Sequence, residues 1–117
     1  MRHRKDFRKL NRNTAHRIAL LRNLARGLIL SGKIETTVSK AKELKRFIEK
    51  IISRAKKGTP ADYRIVMSKL PQKDVCKKLF EEIAPKYADR NGGYVRVIRT
   101  HNRKGDNAEM AIIEFVE

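Results

Sequence analysis

Three histidines, one cysteine and thirteen carboxylates are the side chains with which this 117-residue chain could catalyse a reaction or hold a metal. Their spacing supports neither. His3, His16 and His101 are far apart, and none has a histidine four residues away along a helix. Cys76 is the only thiol, so a Cys-x-x-Cys pair, an intrachain disulfide and a zinc set are all unsupported. It reads as a small core hydrophobe in a reducing compartment. Glu81 and Glu82 are adjacent, but helix neighbours point in different directions, so they read as a solvated face rather than an acid–base pair. There is no Gly-x-x-x-x-Gly-Lys phosphate loop and no Gly-x-Ser-x-Gly elbow. Gly92-Gly93 would let a backbone approach a phosphate, and a plain turn explains it equally well. The expectation is no enzyme, no catalytic residue, no metal, no cofactor and no small-molecule substrate.

The chemistry that the residues do offer is cationic. Lys and Arg number 29 against 13 acids, a formal charge of +16. Residues 1–30 carry +8, residues 31–60 carry +6, residues 61–90 carry +2, and residues 91–117 are neutral. A gradient this steep describes a polyanion-facing half joined to a nearly neutral folding half. Lys and Arg neutralise phosphates and release counterions, which gives strong, salt-sensitive binding. Arg dominates residues 1–30, where its planar fork suits bidentate phosphate contact and stacking. No helix-turn-helix, zinc-finger or zipper pattern is present, and the seven aromatics do not alternate along a strand. That favours shape and phosphate recognition of folded RNA over base reading. Two other readings share the charge. A DNA-compacting protein would need a dimer or a groove-reading element. A basic amphipathic helix can lie on a membrane, but the second helix lacks Trp and its stripe has a more economical use against strands. No apolar run approaches the ~18 residues of a membrane span, and no secretory signal pattern follows the first charges.

These cations need elements to hold them. A single domain over 1–117 is expected, with an extended basic arm over 1–13 and a globular body over 14–117. The arm carries Arg2, Arg4, Lys5, Arg8, Lys9 and Arg12, with Phe7 and Leu10 able to pin it. A first helix is predicted over 14–30, its stripe formed by Ile18, Leu21, Leu24, Ala25 and Leu28, with Gly32 as terminator. Residues 33–38 alternate as a strand, and Ser39 reads as the cap of a second helix over 40–57. Ala41, Leu44, Ile48, Ile51, Ile52 and Ala55 form its buried stripe. Its other faces carry Lys40, Lys42, Lys45, Arg46, Lys50, Arg54, Lys56 and Lys57. Thr59-Pro60-Ala61-Asp62 signals a third helix over 60–69, with Tyr63, Val66, Met67 and Leu70 inward. Asp74 can cap a fourth helix over 75–84, ended by Pro85. Strands follow over 94–99 and 110–116, joined by the turn-rich Arg103-Lys104-Gly105-Asp106-Asn107. The last strand is the most apolar and should be central. The class is α+β: helices packed on one face of a small three-stranded mixed sheet.

Taken in order, the residues resemble the bacterial large-subunit ribosomal proteins of the L-seventeen family. The resemblance rests on Met1-Arg-His-Arg-Lys5, Arg8-Lys-Leu-Asn-Arg12, His16-Arg17, Arg22-Asn-Leu-Ala25, Ile34-Glu-Thr-Thr37 and Lys40-Ala-Lys-Glu-Leu44. Gly92-Gly-Tyr94, Gly105-Asp-Asn-Ala108 and Met110-Ala111 extend it toward the C-terminus. Phe7 stands where Gly is frequent in that family, and Glu109 where Pro is usual. The resemblance implies a non-catalytic structural constituent of the cytoplasmic ribosome that supports translation. Its partners would be large-subunit (23S) rRNA and neighbouring large-subunit proteins near the nascent-chain exit region, with no membrane involved. It also implies RNA-facing roles for Arg2, His3, Arg4, Lys5, Arg8, Lys9, Arg12, His16 and Arg17, and for Lys40 and Lys42. Arg22 on the first helix, and Arg96, Arg103 and Lys104 in the C-terminal hairpin, complete the expected RNA contacts.

Overall fold

A computed structural model of the chain describes residues 14–116. The expected arm, with Arg2, His3, Arg4, Lys5, Arg8, Lys9 and Arg12, lies outside the described residues. The element order is α1 (Thr14–Ser31), β1 (Lys33–Thr37), α2 (Val38–Lys57), α3 (Pro60–Lys69), α4 (Lys73–Lys78), β2 (Val95–Asn102) and β3 (Glu109–Phe115). A π-helical turn (Leu79–Ile83) and a 3-10 turn (Ala84–Tyr87) continue α4.

The centre of the fold is α2, which touches all three strands as well as α1 and α3. Its whole expected stripe is buried, from Ala41 through Leu44, Ile48, Ile51 and Ile52 to Ala55. Each large aliphatic side chain taken fully out of water there contributes about 1.5–3 kcal/mol. From α1, Leu21, Ala25, Leu28 and Ile29 close one flank; Val66 and Leu70 close another. The helix stops at Gly58, whose φ of 67° is the left-handed conformation that residues with a Cβ avoid.

Strand order is β1-β3-β2, with the most apolar strand in the middle as expected. The sheet is wholly antiparallel, not mixed. The reason is topological: β1 and β2 run the same way, but β3 separates them and opposes both. Ile34 pairs with Ile113, and Val97 pairs with Ile113 from the other side, so these residues share the face that packs on the helices. Lys33, Glu35, Arg96, Ile98 and Thr100 lie on the outer face and are exposed.

Four local expectations change. Ser39 is not a cap: Thr37 is extended, Val38 is already helical, and no side chain bonds the first amides. Strand runs into helix without a loop because Val38 is buried at once. Tyr63 is 40% exposed rather than inward, and its ring rests on Phe80 with centroids 5.1 Å apart. The fourth helix begins at Lys73, after Gln72, so Asp74 lies in its first turn. Pro85 does not simply end it. A continued α-helix would drive the proline ring into the Glu81 carbonyl. The helix widens instead, with the Ala84 N–H donating to the Leu79 carbonyl, and then tightens into the 3-10 turn.

Candidate nucleic-acid interface

Burying the aliphatic stripe of α2 forces its cations onto the remaining surface. Lys50, Arg54 and Lys57, spaced i, i+4, i+7, form one wall of a groove of about 610 Å³. Lys69 faces them from α3, and Asn91 and Gly92 form part of the rim. Lys50 and Lys69 also border a second hollow of about 200 Å³ that includes Arg17 and Arg46. The cations therefore form a strip from the start of α1, across α2, to the end of α3.

The carboxylates near this strip are already engaged, two of them by arginines of the strip itself. Glu43 is buried and pairs with Arg46 at 3.5 Å. A Glu49 oxygen accepts from the Val95 amide at 3.4 Å. Asp62 is buried; it accepts the Thr59 hydroxyl at 2.6 Å and faces Arg54 at 3.3 Å. The Thr59 hydrogen bond and then Arg54 hold the Asp62 carboxyl below the usual carboxylate range, against the opposing effect of burial. Lys50, Lys57 and Lys69 remain exposed.

The groove's far rim is fixed by Lys56 and Tyr94. Lys56 Nζ donates to the Tyr94 hydroxyl at 2.9 Å and to the Arg90 carbonyl. The ammonium lowers the Tyr94 phenol pKa. Gly92 has no side chain, so the rim there is bare backbone.

The expected contacts do not gather into one patch. His16 is exposed on the first turn of α1, and Arg17 joins the strip. Arg22 is partly internal: its Nη2 donates to the Ser68 carbonyl at 3.3 Å, linking α1 to α3, and its Nε is buried with no acceptor among the described residues. Lys40 is half-buried. Lys42 is exposed at the start of α2 and shares a hollow with Arg99 and Glu109. Arg96 sits on the outer sheet face, paired with Glu114 at 3.0 Å. Arg103 grips Asp106 through two nitrogens at 3.2 and 2.6 Å, which pushes the Asp106 carboxyl down to about 2. Lys104 is exposed in the same turn.

Lys50, Lys57 and Lys69 were absent from the expected contacts. Lys50 and Lys57 are legible, with Arg54, as a helical row. Their convergence with Lys69 depends on the packing of α3 on α2, which periodicity does not encode. Among the described residues no group of three or more His, Cys, Asp or Glu could hold a metal, and no helix is long and apolar enough to cross a membrane.

Comparison with known proteins gives this arrangement a lineage. The family model described as ribosomal protein L17 matches residues 20–116. The chain is 56% identical over 116 residues to the large ribosomal subunit protein bL17 of Campylobacter lari, covering 99% of both chains. It is 54% identical over 116 residues to the protein of the same name from a Sulfurovum species, covering 99% of this chain and all of that one. A match of this extent, carried by the helices and strands described above, means that the chain belongs to the ribosomal protein L17 family.

Proposed function

We propose that the protein is a structural constituent of the large ribosomal subunit that holds folded 23S rRNA through its basic N-terminal residues and the cationic strip of its body. Its work is positioning, without catalysis, in the cytoplasmic ribosome during translation. Its protein neighbours are other large-subunit proteins near the nascent-chain exit region. The observation that carries this reading is that Glu43, Glu49 and Asp62 are engaged by Arg46, by the Val95 amide and by Thr59 with Arg54, while Lys50, Lys57 and Lys69 stay exposed and outside any ion pair among the described residues. A merely solvated helix face would mix its charges. An outward strip of one sign attracts phosphate and draws together RNA segments that repel one another.

Deleting residues 2–12 tests the division of labour. Among the described residues the buried core runs from Leu21 to Ile113, so the circular dichroism spectrum and melting of the body should be retained. Incorporation into large subunits, followed by sedimentation, should fall. Full incorporation of the folded truncated protein would contradict the role given to the N-terminal cations.

A further inference from the structure

We propose that the groove between α2 and α3 takes an unpaired nucleotide of the RNA, with backbone phosphates on Lys50, Lys57 and Lys69 and the base on the apolar floor. The proposal rests on the reading of the protein as an RNA scaffold and adds a site separate from the N-terminal cations. The groove is amphipathic in the sense that a nucleotide is. Cations stand on both walls, Lys50 and Lys57 on α2 and Lys69 on α3. Between them half-buried Ile65 supplies the apolar floor above the fully buried Ile51 and Val66, and the one acid of the lining, Glu49, accepts from the Val95 amide. Ser53 and Asn91 add neutral hydrogen-bonding groups of the kind that meet base edges.

Size decides between a single nucleotide and a duplex. At about 610 Å³ the groove falls within the range of small-ligand pockets. An intact A-form helix presents phosphates and a shallow minor groove, so it would touch the rim and leave the apolar floor wet. Seven residues of helix at 1.5 Å per residue set Lys50 and Lys57 about 10 Å apart along α2, enough to follow a strand past its inserted base. Arg54 is held by Asp62 at 3.3 Å and steadies that wall. The Lys56–Tyr94 and Lys56–Arg90 bonds keep the bare Gly92 backbone at the rim.

The test compares the full chain, the K50Q/K57Q/K69Q variant and the chain lacking residues 2–12 on a large-subunit rRNA transcript. Affinity is measured across salt concentrations, and bases are probed with dimethyl sulfate and a carbodiimide, which together report all four. All three lysines are exposed, so the triple variant should keep the wild-type circular dichroism spectrum. Each phosphate contact on a single strand contributes about 0.7 to the salt slope, so the triple variant should lose about 2 from it. An unpaired base protected by the wild type should become reactive with the variant, while other protections persist. A lower slope with no base released would overturn the proposal, because the lysines would then hold backbone only. An unchanged slope in the triple variant, alongside a lower one after deletion of residues 2–12, would also overturn it and leave the scaffold reading standing. Unchanged binding by both altered proteins would remove the scaffold reading as well.

Discussion

Thr59 and Asp62 lock the start of α3 reciprocally. The Asp62 amide donates to Thr59 Oγ1 at 3.1 Å, and the Thr59 hydroxyl donates to the Asp62 carboxylate at 2.6 Å. Losing such a cap costs about 1 kcal/mol. Because the Asp62 carboxyl is held below its usual value, its contribution is whole above about pH 4 and is lost as the pH falls through the lowered value. Asp106, pushed down to about 2 by Arg103, likewise loses its contribution on the acid side. Melting temperature should therefore decline as pH drops from 4 toward 2. Thr59→Ala should lower it more at pH 7 than at pH 2; an equal loss at both would contradict the coupling. Cys76 is a second case where environment sets chemistry. Its thiol is fully buried, donates to the Leu70 carbonyl at 3.0 Å, and is pushed above the usual thiol range chiefly by burial. Iodoacetamide should label it only at the rate of unfolding, measured by mass spectrometry; rapid labelling of the native protein would show an accessible thiol.

At the scale of elements, α2 carries the molecule. Ile48 is fully buried at its middle, and Ile48→Ala should destabilise the fold by about 2–5 kcal/mol in urea unfolding followed by circular dichroism. A loss under 1 kcal/mol would show that the helix is less central than its contacts suggest. Elements with local signals were legible in the sequence. The stripe of α2, the Gly58 stop and the Thr59-Pro60 start of α3 all depend on residues within a few positions of one another. The apolar character of β3 also foretold its central place. Features set by distant contacts were not legible. Tyr63 periodicity points inward, yet its ring finds Phe80 at the surface. The widening before Pro85 settles a conflict between the proline ring and the continued burial of Leu79 and Ile83. The groove behaves likewise: the α2 row was visible, but Lys69, Asn91 and Gly92 reach it only through tertiary packing.

For the whole molecule, +16 is less informative than where charge is left unpaired. The C-terminal hairpin spends Arg96 on Glu114, Arg99 on Glu109 and Arg103 on Asp106. The strip over α1, α2 and α3 pairs Arg46 with Glu43 and Arg54 with Asp62, but Lys50, Lys57 and Lys69 stay exposed and outside any ion pair among the described residues. Charge alone suits duplex DNA as well as RNA, but a strip broken by hollows suits an irregular folded surface better than a uniform rod. In competition at physiological salt, large-subunit rRNA should displace duplex DNA from the protein. A preference for the duplex would favour a DNA-compacting role. The most direct measurement is sedimentation of ribosomal subunits carrying the tagged full-length protein through a high-salt wash. Residence as a structural component predicts that the protein remains with the large subunit. Release to the top of the gradient, with subunits otherwise intact, would contradict it.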